Sequence, residues 1–234
     1  MKHPQPLSPW TAEIGYRMRK LLWLKMLGTT AVTSAFFIGY FYVLRNPVFP
    51  VVVMPETALD RWIGFQPGAL FIYLSLWFYI GVGPGLQRGF WELVVYGLWL
   101  MAMCLTGLLL FYLWPTAVPP LGFDASGYPG FALLQGVDAA GNACPSLHVA
   151  TAMFTAIRIE QVLRDALVPR WLRAGNALWF IAIAWSTLAV KQHVALDALA
   201  GAALGLAFAW ASMRWRPGAQ QLSSTTTRRA ENTP

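Results

Sequence analysis

Charge is scarce in this chain. Asp, Glu, Lys and Arg make up 12% of its 234 residues, and 57% are hydrophobic, whereas a soluble domain carries about 25% charged residues. That balance excludes an ordinary water-soluble globule. Cysteine is nearly absent too: Cys104 lies within a long apolar run and Cys144 beyond it. Two thiols at such different depths do not meet within disulfide distance, which excludes a disulfide framework. No basic stripe is interleaved with aromatic residues, so the net charge of +7 gives no reason to expect a nucleic-acid partner. Histidine is the last scarcity. Of the three in the chain, His3 sits in the N-terminal tail, leaving His148 and His193 at the edges of hydrophobic segments.

Apolar sequence is what the chain has in abundance. Six stretches approach the ~20 residues a helix needs to cross ~30 Å of hydrocarbon: 26–44, 68–86, 92–114, 145–163, 175–190 and 193–213. The expected fold class is therefore all-α, a polytopic membrane protein with six transmembrane helices in a bundle. The fourth stretch is the least apolar, interrupted by Arg158 and Glu160, and the sixth contains Asp197. With both termini in the cytoplasm, only Arg45, Arg61 and Lys191 of the 17 Lys and Arg fall on outer segments. This is the positive-inside pattern, and attraction to an anionic inner leaflet accounts for the basic balance. A long tail before the first apolar run, with no small-residue cleavage site after it, argues for a retained anchor rather than a signal peptide.

Residues 46–67 are too broken by Pro47, Pro50, Pro55 and Pro67 to span as one helix. They are expected along the outer interface, anchored by Trp62 and Phe65. The string GVGPGLQRG, Gly81 to Gly89, is expected to end the second span in a tight inner turn. Residues 115–144 carry two aspartates and no Lys or Arg, and loops this long are often functional. Residues 1–216 are expected to form a single membrane-embedded domain, led by a cytoplasmic segment, 1–20. The polar residues 217–234 are expected to be a disordered cytoplasmic tail.

In this topology the fourth and sixth spans both run inward from the outer side. His148 and His193 then share one depth, in the first turns of two parallel-running helices. Pro145 suits a helix start, and Ser146 is placed to accept backbone N–H bonds there. Helix starts also favour a bound anion. His193 and Asp197 are one helical turn apart on the same face. A carboxylate so placed fixes the imidazole tautomer and leaves the other ring nitrogen free as a nucleophile or base. An aspartate inside a span is expensive and marks a functional site by default, and Lys191 supplies a cation at the same end. Two His and an Asp also form a possible zinc ligand set, although the Pro-Ser lead-in and the lysine suit an anion better.

The string Pro145-Ser146-Leu147-His148 resembles the Pro-Ser-Gly-His motif of the type 2 phosphatidic acid phosphatase superfamily. Ser186-Thr187, then His193 and Asp197, resembles that superfamily's Ser-Arg, five residues, His, three residues, Asp motif. Its first motif, a lysine, six residues and Arg-Pro, has no counterpart; WPTAVPP, Trp114 to Pro120, stands there instead. The phosphate-gripping arginine falls at Thr187, and Leu147 replaces glycine. These departures resemble the branch containing inositol phosphorylceramide synthase and sphingomyelin synthase. The resemblance implies a metal-independent, cofactor-free lipid phosphatase working through a phosphohistidine, with lipid head-group phosphotransfer as the alternative. It implies His193 as nucleophile, Asp197 as the group holding its ring, and His148 as general acid and base. Lys191, Ser146 and the Leu147 backbone N–H are the expected phosphate donors, with Arg45 and Arg61 the other outer cations. The expected partners are a lipid phosphate and the bilayer, at an outer or periplasmic site on a plasma or inner membrane. A non-catalytic lipid-binding or transport protein is the reading from another class. It predicts internally repeated or broken spans, and no repeat is found.

Overall fold

The computed structural model describes residues 10–122, 127–128, 130–131 and 141–215. Within them the helices are α1 (Trp10–Arg19), α2 (Leu22–Arg45), α3 (Ala58–Ile63), α4 (Leu70–Gly85), α5 (Phe90–Leu113), α6 (Leu147–Asp165), α7 (Arg170–Ala189) and α8 (Ala195–Arg214). A minimal parallel pairing joins β1 (Val52–Val53) to β2 (Thr116–Ala117). His3, Asp124, Asp138 and the tail 217–234 lie outside the described residues.

All six apolar stretches are helical. Four helical segments are long and apolar enough to cross a membrane: Leu22–Arg45, Pro67–Gly85, Phe90–Leu113 and Ala195–Arg214. These point to a membrane protein. The other two expected stretches are α6 and α7, whose polar residues dilute them: Arg158, Glu160, Arg164 and Asp165 on α6, and Arg170, Arg173 and Asn176 on α7. Helix α6 is the hub of the bundle, lying against α4, α5, α7 and α8. A helix surrounded by protein does not need a lipid-compatible surface all round, and Glu160 is neutralised by ion pairs to Arg164 and Arg173. At the other extreme, α2 buries only Lys25 and Tyr40.

Several local expectations change in the structure. The N-terminal lead contains a helix, α1, with Arg17 Nε donating to Glu13 at 2.7 Å across one turn. Its junction with α2 is held by the buried Lys25, whose ammonium donates to the carbonyls of Arg17 (2.6 Å) and Gly85 (2.7 Å), satisfying the ends of α1 and α4. Gly81–Gly85 continue α4 as its last turn, with Pro84 inside the helix, so the turn begins only at Leu86. In 46–67, Trp62 is 83% exposed as an interfacial anchor would be, but Phe65 turns inward onto Phe131, ring centres 5.0 Å apart.

Helices α6 and α8 cross with their backbones in close approach. A Cβ built on Gly201 would overlap the Ser146 carbonyl oxygen, and one on Gly205 would overlap that of Ala150. Both residues advance by four on each helix, so the two helices run in the same direction, backbone against backbone. Small residues four apart permit this approach. Leu147 fits the next gap: its side chain occupies the space a Cβ on Gly107 of α5 would need.

Gly201→Ala should force the helices apart, because the atom it meets is backbone and cannot rotate away. A loss of about 1–3 kcal/mol is expected, read as a lowered unfolding temperature in detergent. Gly97→Ala, whose Cβ meets nothing within 4 Å, should match or exceed the parent through its better helix propensity. Equal melting of the two variants would contradict the tight crossing.

Candidate active site

The ends of α6 and α8 meet at one place because of this crossing. Ser146 caps α6, its Oγ accepting from the Val149 N–H at 3.2 Å. Its own N–H donates to the Asp197 carbonyl at 2.9 Å, tying the start of α6 to the first turn of α8. Helix α8 has Val194 at its N-cap, which offers no side-chain acceptor. The cap comes instead from α3: Asp60 Oδ1 accepts from the Ala195 N–H at 2.8 Å, and its Oδ2 from the Thr57 N–H and hydroxyl, each at 2.7 Å. A carboxylate at a helix N-terminus is favoured by both the free N–H groups and the macrodipole.

Four side chains then line up in series. His193 Nδ1 lies 3.0 Å from Asp197 Oδ2, His193 Nε2 lies 3.2 Å from His148 Nδ1, and His148 Nε2 lies 2.7 Å from the Tyr73 hydroxyl. With both imidazoles neutral, one assignment of protons satisfies the whole row. Tyr73 donates to His148 Nε2, His148 Nδ1–H donates to His193 Nε2, and His193 Nδ1–H donates to Asp197. The second Asp197 oxygen accepts from the Ala198 N–H at 3.1 Å. Asp197 and Ser146 are fully buried and His193 is nearly so, while His148 is half-buried.

Thus His148, His193, Asp197 and Ser146 are brought together as the sequence led us to expect. Lys191 and Thr187 are placed differently. Lys191 is held in left-handed conformation (φ 59°) at the end of α7, its ammonium donating to the Asp60 carbonyl at 2.6 Å. No described hydrogen bond joins it to the histidines. Thr187, fully buried, donates its hydroxyl to the Ala184 carbonyl, and its own carbonyl accepts from the N–H groups of Gln192 and His193. The position where the resemblance puts an arginine therefore helps orient the His193 backbone. Arg45 and Arg61 are exposed: Arg45 lies over the Phe41 ring, 5.4 Å from its centre, and Arg61 reaches the Glu56 carbonyl at 3.4 Å. Among the described residues, no group of three His, Cys, Asp or Glu is arranged to hold a metal ion.

A cavity of about 290 Å³ reaches both histidines and extends between α2, α4 and α5. Its walls run along α4 from Leu70 to Ile80, about 15 Å at 1.5 Å per residue. Phe36, Phe37 and Trp77 line it along with Tyr40 and Tyr73; Asn142, Thr151 and Gln192 are among its few polar side chains.

Two side chains bonded into this site escaped the sequence. Tyr73 lies in an unbroken apolar run with no motif around it. Asp60 lay in a segment expected only to rest on the membrane surface, although Thr57 three residues before it is a helix-start signal.

Both cysteines are free and buried. Burial, followed by the Asp197 charge, pushes the Cys144 thiol up to about 11. The thiolate is the reactive form, so at pH 8 only about one Cys144 in a thousand is reactive. Iodoacetamide should label Cys144 in the folded protein far more slowly than a free thiol, with a rate still climbing past pH 10. Labelling that levels off near pH 9 would contradict this environment.

The family model described as the PAP2 superfamily matches residues 28–221. No curated protein and no solved structure matches the chain.

Proposed function

The chain belongs to the PAP2 superfamily, whose members are phosphatases and phosphotransferases acting on lipid-like phosphates, and from that premise we propose a membrane-embedded lipid phosphatase that works through a phosphohistidine. The observation that carries this reading is the bonded row Asp197, His193, His148, opening onto an apolar cavity. Asp197 keeps the His193 proton on Nδ1, leaving Nε2 with the lone pair. On that reading the His193 Nε2 forms a bond to phosphorus while the bond to the leaving oxygen breaks, and protonated His148 gives that oxygen its proton. His148 then takes a proton from water, the new hydroxide attacks phosphorus, and the N–P bond breaks to release phosphate. Each proton transfer contributes about 10²–10⁴-fold.

The cavity supports a lipid substrate, since it sets an apolar path beside the reacting nitrogens. The N-terminal ends of α6 and α8 supply N–H donors and positive dipole ends to the phosphate. Leu147 N–H lies in the first turn of α6, and Lys191 is the nearby cation once it exchanges the Asp60 carbonyl for a phosphoryl oxygen. We further assign α6 and α7 as the fourth and fifth of six spanning helices, with residues 1–216 as one domain, both termini cytoplasmic and the histidines at the outer face of a plasma or inner membrane. The Arg and Lys asymmetry supports that orientation. Leu147 wedged at Gly107, with Thr187 in place of a cation, fits the inositol phosphorylceramide synthase branch, in which an alcohol replaces water as acceptor.

Purified protein in detergent with a chelator should release phosphate from one or more lipid phosphates. His193→Ala should fall to background and His148→Ala by about 10²–10⁴-fold, both with parental melting. Lys191→Ala should lower the rate by at least about tenfold through lost charge stabilisation. Turnover unchanged in either histidine variant would sink the assignment. Head-group exchange on adding a second lipid, without release in water, would establish the transferase instead.

A further inference from the structure

Tyr73 is 2% exposed and makes the shortest of the three hydrogen bonds in the row, yet no motif singles it out. It sits on α4, while both histidines belong to the α6 and α8 ends, so it is the row's only member from outside that crossing. Its ring lies 5.0 Å from the His148 ring, tilted by 35°. The contact engages the His148 nitrogen that points away from His193.

We propose that Tyr73 is the positioning residue for His148, holding its Nε2 through every protonation state so that Nδ1 faces the scissile bond. The inference rests on the phosphohistidine reading of the site. In the resting row, His148 carries its proton on Nδ1 and Nε2 accepts from Tyr73. As general acid, His148 must carry protons on both nitrogens, and after donating from Nδ1 it is neutral with its proton on Nε2. In those two states Nε2–H needs an acceptor. A hydroxyl donates or accepts according to how its O–H turns, so Tyr73 serves all three states without moving its ring. The cavity walls beside Nε2 are mostly apolar.

The same contact explains how His148 survives the opening that substrate requires. His148 Nδ1 is only 3.2 Å from His193 Nε2. A phosphoryl group between them needs about 3–3.5 Å from nitrogen to phosphorus and a proton-transfer contact of about 2.6–3.2 Å beyond the leaving oxygen. The two rings must therefore separate, and the Tyr73 bond is what His148 retains when the His193 bond is given up.

The titratable groups facing His148 are few. From α4 there is Tyr73; from the start of α8, His193 with Asp197 behind it; the cavity adds Tyr40 of α2 and Cys104 of α5, and among the described residues no Arg, Lys, Asp or Glu lines it. The Tyr73 oxygen, 2.7 Å from Nε2, is an acceptor able to stabilise the imidazolium there. Losing it favours neutral His148.

Tyr73→Phe keeps the ring and removes the hydroxyl. We expect kcat to fall at least about tenfold with KM changed less than about twofold, and the basic limb of the kcat/KM profile to move down by about one pH unit. A second readout needs no substrate: carbethoxylation of His148 by diethyl pyrocarbonate, followed by mass spectrometry of its peptide across pH. Neutral imidazole reacts, so in Tyr73→Phe the rise in labelling should begin at lower pH. Should Tyr73→Phe fail to fold, 3-fluorotyrosine at position 73 preserves the shape while weakening the oxygen as acceptor, and should move both profiles the same way by a smaller amount. Unaltered kcat and an unaltered labelling profile would overturn the proposal. If the parent shows no turnover on any lipid phosphate, the phosphohistidine reading fails, and the proposal fails with it because no scissile bond is left for His148 to face. A labelling shift in that case would identify Tyr73 only as a structural partner of His148.

Discussion

Everything at the histidine end of this protein depends on two helices touching through glycine. With no side chain at Gly201 or Gly205, the α8 backbone comes against the Ser146 and Ala150 carbonyls, and the Ser146 N–H can reach the Asp197 carbonyl. That bond sets the first turn of α6 beside the first turn of α8. His148 and His193 follow from it, being two and four residues from the two bonded positions. The neighbours adapt to the crossing. Gly107 makes room for Leu147, Thr187 turns its carbonyl to the backbone of His193, and Asp60 of α3 supplies the cap that Val194 does not. Helices in a membrane gain little from hydrophobic association, so close packing and interhelical hydrogen bonds must do that work.

How much of this was legible in the sequence divides along local and non-local lines. The pair His193 and Asp197 is a one-turn spacing, and the equal depth of His148 follows from counting apolar stretches; both are arithmetic on one chain. All six stretches are helical for the same reason. Tyr73 and Asp60 were not readable because their roles are defined by partners 75 and 135 residues away. A tyrosine in an apolar run looks the same whether its hydroxyl finds a histidine or a backbone carbonyl. Likewise Lys191 was read from proximity in sequence to His193, but the left-handed turn at the end of α7 directs its ammonium to Asp60. The helix in the N-terminal lead was passed over because its support, Lys25 bridging two helix ends, is also tertiary.

Buried charge is handled at this end almost wholly by neutral donors. Asp197 receives a histidine N–H and a backbone N–H, and Asp60 receives two backbone N–H groups and a hydroxyl. Neither carboxylate forms an ion pair with Lys or Arg among the described residues. Several such donors meet a buried carboxylate's hydrogen-bonding needs without a partner cation. The arrangement leaves Lys191 donating to a carbonyl; on the proposed function a phosphoryl oxygen takes that acceptor's place, because charge-assisted hydrogen bonds to an anion are about twice as strong as those to a neutral group.

The closed row of four side chains also answers a problem set by the cavity. An apolar path that ends at two imidazoles exposes polar nitrogens to hydrocarbon, where an unsatisfied group costs several kcal/mol. In the resting protein every ring nitrogen has a partner, so the polar end of the cavity is self-satisfied. On the proposed function, opening it exchanges one His–His bond, with a net value of about 0.5–1.5 kcal/mol, for the stronger contacts an anionic head group makes. A ligand with an apolar chain but no phosphate fills the cavity without supplying that exchange. The network thus favours occupants that bring both a chain and a charge, which is the discrimination an enzyme working within a bilayer of ordinary lipids requires.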